Sequence, residues 1–226
     1  MIKTTQKFLG ILMLDTRFPR PLGDVGNLET YRRAGIPVRF VIVKGASPKR
    51  IVQDADPTLL QPFVEAAMAL VEQGAEMIST SCGFLASYQN YLSKILPVPV
   101  ITSSLLQCKH YTRPAIVTID SSSLIDDILS AADVPIGTPV QGVEPGCEFH
   151  QRILNNDTEL DVSEAERNIV AAALKLLTRE PNVENIILEC TNMPPYREAV
   201  AKATGRRVHD IETLLTTAWR QRSEKS

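Results

Sequence analysis

Cys82 and Cys190 are the two residues whose surroundings best suit them to chemistry. Each ends a run of apolar or small residues and opens a segment with helical character, MISTSCGFLASYQNYL in the first case and IILECTNMPPYREAV in the second. Both are therefore expected at the carboxyl ends of strands, where open α/β sheets hold ligands against the free N–H groups of the next helix. The amino end of a helix favours thiolate over thiol, so the position predicts a pKa lowered from about 8.5 toward neutrality. Gly83 leaves the backbone open to close approach, and Thr80, Ser81, Thr191 and Asn192 surround the thiols with hydroxyl and amide groups. A single buried cysteine reads most simply as a small hydrophobe. Two in matching turns point instead to a working pair. Cys108 and Cys147 have no such counterparts and are expected to be structural.

Two opposed cysteines suit proton transfer at a carbon next to a carboxylate: one thiolate removes the proton from one face while the other thiol returns one on the opposite face. Such a reaction requires no metal, pyridoxal or nicotinamide cofactor. Charge developing on the substrate carboxylate needs donors, for which the N–H groups of Gly83 and Thr191 and the hydroxyls of Thr80, Ser81 and Thr191 are candidates. Asp15, closing the first apolar run, is a candidate either for orienting a substrate ammonium group or for capping a turn. In the next loop, TRFPRPLGDVGN, Arg17 and Arg20 are candidates for binding a second carboxylate, or are solvated loop residues. The cluster Glu144, Cys147, Glu148 and His150 fits no common metal-ligand spacing and reads as a loop on the cleft side. His209 and Asp210 would add a polar wall there. His110, in the stretch CKHYTR, reads as a surface connector.

Short apolar, β-branched runs alternate with longer amphipathic segments, the pattern of a parallel α/β fold with helices on both sheet faces. Strands are predicted at 8–14, 38–43, 77–80, 98–102, 115–119, 140–143, 186–189 and 207–209. Helices are predicted at 59–73, 84–95, 123–131, 163–177, 196–203 and 211–222, several opened by a capping residue or proline. The 226 residues carry 24 basic and 26 acidic side chains, interspersed, for a net charge of −2, which points to a small-molecule partner and away from nucleic acid or an anionic membrane. The apolar run before Asp15 is shorter than the roughly 20 residues of a membrane helix. A cytoplasmic protein with free thiols is the expectation.

The two halves of the chain repeat. FLGILMLDTR resembles RPAIVTIDSS, the segment ending in Cys82 resembles the one ending in Cys190, and VPVITSSLL resembles RRVHDIETLL. The offsets are 105 from Asp15 to Asp120, 108 from Cys82 to Cys190 and 109 from Ser104 to Thr213. Solenoid repeats run to about 20–50 residues, so this period marks a duplicated domain with its function between the copies.

The turns Thr80-Ser81-Cys82-Gly83 and Cys190-Thr191-Asn192, their spacing, and Asp15 closing the first strand resemble the aspartate/glutamate racemase superfamily across nearly the whole chain. The resemblance implies two α/β subdomains related by a pseudo-twofold, residues 1–110 with 208–226 and residues 111–207, with the last helix packing on the first. It also implies a homodimer acting on a small carboxylate, with catalytic Cys82 and Cys190 and no cofactor. Racemisation or epimerisation of an amino acid or related acid is the leading expectation. A cysteine-dependent lyase, decarboxylase or cis-trans isomerase of the superfamily, or a non-catalytic binding protein, are the alternatives. The chain departs from the amino-acid racemases at Gly83 and Phe84, where they commonly carry Asn then Thr or Asp, and at Asn192, where glutamate racemases carry a histidine. Glu189 is a candidate to replace that titrating helper.

Overall fold

The computed structural model describes residues 7–223; the outermost residues of the expected subdomain limits, 1–6 and 224–226, lie outside them. Among the described residues, eight strands form two parallel four-stranded sheets. The first contains β1 (Phe8–Leu14), β2 (Val38–Val43), β3 (Ala75–Thr80) and β4 (Val100–Ile101), in the order β2-β1-β3-β4. The second contains β5 (Pro114–Thr118), β6 (Val140–Gly142), β7 (Asn185–Leu188) and β8 (Arg207–His209), in the matching order β6-β5-β7-β8. All six pairings are parallel. The same topology twice is the duplication that the offsets predict. Strands covered on both faces read as continuous apolar runs, and β1 (FLGILML) and β7 (NIIL) are buried throughout for that reason.

The helices are α1 (Leu28–Ala34), α2 (Leu60–Glu72), α3 (Gln89–Ile95), α4 (Asp126–Ala131), α5 (Glu148–Leu154), α6 (Val162–Arg179), α7 (Arg197–Thr204) and α8 (Ile211–Ser223). Side-chain caps fix several starts: Asn27 accepts from the Glu29 N–H at α1, and Asp161 accepts from both Ser163 and Glu164 at α6. Sequence patterning finds neither α1 nor α5. The predicted helix over 84–95 divides into a 3₁₀ segment, Gly83–Tyr88, and then α3. Of the stretch expected as a surface connector, CKHYTR, the first three residues end a 3₁₀ segment, Ser104–His110; Cys108 is buried, and the residues from Lys109 to Arg113 are exposed or half-buried.

One apolar cluster runs through both halves, joining Phe63 and Leu70 of α2 to Ile169 and Leu176 of α6. A second cluster joins Leu9, Ile11, Met13 and Met77 of the first sheet to Ile211 and Leu215 of α8. The last helix thus returns to the first sheet. The expected limit at 208 falls inside β8, which pairs with β7 in the second sheet. No helix among the described residues is long and apolar enough to cross a membrane.

Candidate active site

In each sheet the connection after the first strand leads one way and the next leads back past it, so neighbouring crossovers diverge above the ends of β1 and β3, and of β5 and β7. A crevice opens at such switch points. The residues ending these four strands meet there: Leu14, Ser81 and Cys82 from the first sheet, and Ile119, Glu189 and Cys190 from the second, all line one narrow cavity with about 20 Å³ open to the centre of a water molecule. Phe18, Phe84, Ile153, Leu154 and others complete its walls.

The two cysteine turns are bonded to each other. Thr191 donates its hydroxyl to the Ser81 carbonyl at 2.7 Å, and Ser104, from the first half, donates to the Leu188 carbonyl at 2.7 Å. Ser81 Oγ accepts from the Leu14 N–H at 2.8 Å, locking the β1 and β3 ends together. These bonds hold the two thiols in one cavity although 108 residues separate them in the chain.

Cys190 donates from Sγ to Asn192 Oδ1 at 3.6 Å. Asn192 Nδ2 donates in turn to Asp24 Oδ2 at 2.7 Å, and Asp24 Oδ1 accepts from Arg20 Nη1 at 2.7 Å and from the Gly26 N–H at 2.7 Å. Asp24 is buried and fixes the orientation of Asn192, so the Asn192 amide presents its oxygen to the thiol. Nothing local in RPLGDVGN announces this role, because Asp24 meets its partner 168 residues away.

Both thiols are nearly closed off, Cys82 at 8% and Cys190 at 7% exposure. Burial pushes the Cys82 thiol up to about 12, with the Glu189 charge adding to the rise, against N–H groups of Phe84 and Leu85 and the Arg20 charge. The Cys190 thiol is likewise raised well above its ordinary value, by burial first and Glu189 second. The expected lowering by helix amino ends is therefore corrected. Each cysteine leads into only a short turn, Gly83–Tyr88 in one case and a three-residue 3₁₀ turn at Pro194–Tyr196 in the other, and the few N–H groups there do not offset burial.

Glu189 is the residue that local sequence reading understated. Its carboxyl is wholly buried; Oε2 accepts from Thr118 Oγ1 at 2.7 Å, whereas Oε1 has no hydrogen-bond partner. Burial raises its pKa from 4.5 to about 7. Gly83 lies against this carboxyl: a Cβ there would stand 2.1 Å from Oε1 and 2.4 Å from the Glu189 carbonyl oxygen. The φ of Gly83 is outside the left-handed region, so glycine is needed for space and not for backbone conformation. The room expected for a ligand at Gly83 is occupied by Glu189.

Of the other expected site residues, Ser81, Thr191 and Asn192 line the cavity. Thr80 does not; its hydroxyl donates to the Thr102 and Cys82 carbonyls and braces the turn from behind. The Thr191 hydroxyl is committed to Ser81 O, so it is not a free donor for substrate. Asp15 faces outward, accepting from the Gly45 N–H at 3.1 Å with Lys44 at 3.9 Å, and takes the turn role. Arg17 is exposed, and its backbone N–H donates to Asn156 Oδ1 at 2.6 Å. Arg20 is held by Asp24 and Thr16 and lies over the Phe18 ring at 4.7 Å. Cys147 caps α5, and Glu148 pairs with Arg152. His209 stacks on Tyr111, outside the cavity.

Among solved structures the chain is similar to allantoin racemase from Pseudomonas fluorescens, with a TM-score of 0.59 at 18% identity over 95% of this chain and 90% of that one. Glutamate racemase from Thermus thermophilus gives 0.58 at 17% identity, over 99% and 82%. The chain has the aspartate/glutamate racemase fold. A liganded mutant of arylmalonate decarboxylase shares that fold, with a TM-score of 0.58 at 18% identity over 90% and 86% of the two chains. By sequence, the relatives include a dimethylsulfoniopropionate lyase of Durusdinium sp. clade D, 28% identical over 89% of this chain and 70% of that protein. Dimethylsulfoniopropionate lyase 7 of Emiliania huxleyi (strain CCMP1516) is 26% identical over 91% of this chain and 64% of that protein. No protein-family model matches the chain. Within this aspartate/glutamate racemase fold, the cavity that holds both thiols lies between the two repeated halves.

Proposed function

We propose that the protein is a cytoplasmic, cofactor-independent enzyme that removes the proton next to the carboxylate of a small acid, with Cys82 and Cys190 as the proton-transfer pair. The observation that carries this reading is the meeting of both cysteines, from equivalent strand ends of a duplicated fold, in one cavity. In the resting site both groups are thiols. The thiolate forms when a substrate brings compensating positive charge or excludes the remaining water. The cavity carries no Lys or Arg among its lining residues, so the substrate carboxylate is held by backbone N–H groups of the two turns. If the opposite thiol returns the proton, the outcome is racemisation or epimerisation of an amino acid or related acid.

A second outcome arises from the same first step and is favoured by the lyase relatives. Where the substrate carries a sulfonium on the next carbon, the electron pair left by the proton forms a C=C bond as the C–S bond breaks. The products are a dialkyl sulfide and an α,β-unsaturated acid, with the proton left on the cysteine. Incubation of D- and L-amino acids, hydroxy acids and dimethylsulfoniopropionate in D₂O, with NMR detection, separates the outcomes. Deuterium uptake at the α carbon marks the first, and an unsaturated acid marks the second. Cys82→Ser and Cys190→Ser are each expected to abolish turnover, and activity surviving in both variants sinks the reading. Homodimer formation, which the fold resemblance supports, is read from the mass in solution.

A further inference from the structure

Among the described residues, Glu189 is the one charged side chain lining the cavity. A buried carboxyl with an unpartnered oxygen is destabilising unless something supplies the missing partner. Thr118 satisfies Oε2, and among the described residues none satisfies Oε1. Gly83 carries an independent indication, since any side chain at that position would collide with Oε1 and with the Glu189 carbonyl. The turn thus makes room for a carboxyl whose unpartnered oxygen lies buried beside Gly83, itself part of the cavity wall.

The remaining walls limit what can pair with it. The Ser81 and Thr191 hydroxyls and the Asn192 amide are already engaged within the protein, and Leu14, Phe18, Val52, Phe84, Ile119 and Ile153 present aliphatic and aromatic surface. A primary ammonium brings three N–H donors that such walls leave unsatisfied. A sulfonium or quaternary ammonium has no N–H group; its charge is spread over methyl groups that pack well on apolar and aromatic walls.

We propose that Glu189 is the specificity-determining residue of this site: its carboxylate is the counter-charge for a methylated onium group on a zwitterionic acid, and Gly83 is the residue that admits it. The ligand's carboxylate then lies toward the N–H groups at the cysteine turns, an orientation that rests on the proton-abstraction reading of the two thiols. The onium sits at the far, apolar side.

The test is binding to the full chain, by calorimetry, of four probes: dimethylsulfoniopropionate, 3-trimethylammoniopropionate, β-alanine, and 4-methylpentanoate, in which a neutral isopropyl group replaces the dimethylsulfonium of the first. The two methylated onium acids are expected to bind about tenfold or more tightly than either of the others, a factor that corresponds to about 1.4 kcal/mol. Glu189→Gln should erase that preference while retaining 4-methylpentanoate, and Glu189→Asp should restore part of it. Equal binding of the isostere and the onium acids by the wild type overturns the proposal, as does a preference that survives in Glu189→Gln, or no binding of either onium acid. If Glu189→Gln folds poorly, the wild-type ratio and Glu189→Asp decide. The Cys82→Ser and Cys190→Ser variants keep the two readings apart. Onium preference with no cysteine-dependent turnover would retain the Glu189 role and reject the proton-transfer pair; turnover indifferent to Glu189 would do the reverse.

Discussion

Gly83 and Glu189 show how one backbone position sets the character of the site. An alanine at position 83 would place its Cβ 2.4 Å from the Glu189 carbonyl oxygen, a backbone atom that cannot rotate away. Gly83→Ala is therefore expected to cost about 1–3 kcal/mol by overpacking, read as a lower denaturation midpoint, and to displace the carboxyl from the cavity. Glu189 also makes stability depend on pH in a fixed direction. Its folded pKa of about 7 lies above the ordinary 4.5, chiefly through burial. Between those values the folded protein keeps a proton that the unfolded chain has released, so stability is full below about pH 4.5 and is lost as pH rises through 7. The loss is on the order of 3 kcal/mol. Urea unfolding of the wild type and Glu189→Gln at pH 5 and pH 8 should show the variant gaining relative stability at the higher pH; parallel behaviour contradicts the assignment. The raised thiols carry their own prediction. In the ligand-free protein at pH 7, iodoacetamide should modify the partly exposed Cys147 before Cys82 and Cys190, as read by peptide mass spectrometry.

The elements bring these residues together through a few bonds that cross between the halves. The Thr191 hydroxyl on the Ser81 carbonyl ties the turn after β7 to the turn after β3. Thr191→Val leaves that buried carbonyl unpaired, which is expected to cost about 1–3 kcal/mol, whereas Thr191→Ser keeps the bond and most of the stability. A shift of the urea midpoint with an unchanged slope is the measurement. Helix α5 contributes Ile153 and Leu154 to the cavity wall, and Asn156 just beyond it accepts from the Arg17 N–H and donates to the Asp15 carbonyl at 3.3 Å. The sequence EPGCEFHQRIL hides this helix because seven residues are too few for a periodic signal and the Pro-Gly pair reads as a loop. Strands were legible for the opposite reason. Those buried on both faces are continuous apolar runs such as Ile186–Leu188.

At the scale of the molecule, the larger apolar cluster passes through both sheets' helices, and α8 closes over the other face of the first sheet. The halves are thus expected to unfold as one cooperative unit. Fluorescence of Trp219, the chain's single tryptophan, which packs on the second cluster, should report the same denaturation midpoint as far-UV circular dichroism. Two separate transitions would mean independently stable halves.

The sequence by itself determined the α/β class, the duplication and the strand-end positions of Cys82 and Cys190, because strand burial, chain period and strand-end position are properties of segments along the chain. Only the tertiary structure decided the electrostatics and the membership of the site. The thiols are raised because the two halves close over them, Asp24 joins through Asn192 across 168 residues, and Asp15, Arg17 and Thr80 turn away. Glu189 was visible as a letter beside Cys190, but its unpartnered oxygen and the space left by Gly83 exist only where β7 meets the turn after β3. Burial and long-range pairing depend on which surfaces fold against each other, and local spacing carries little information about that.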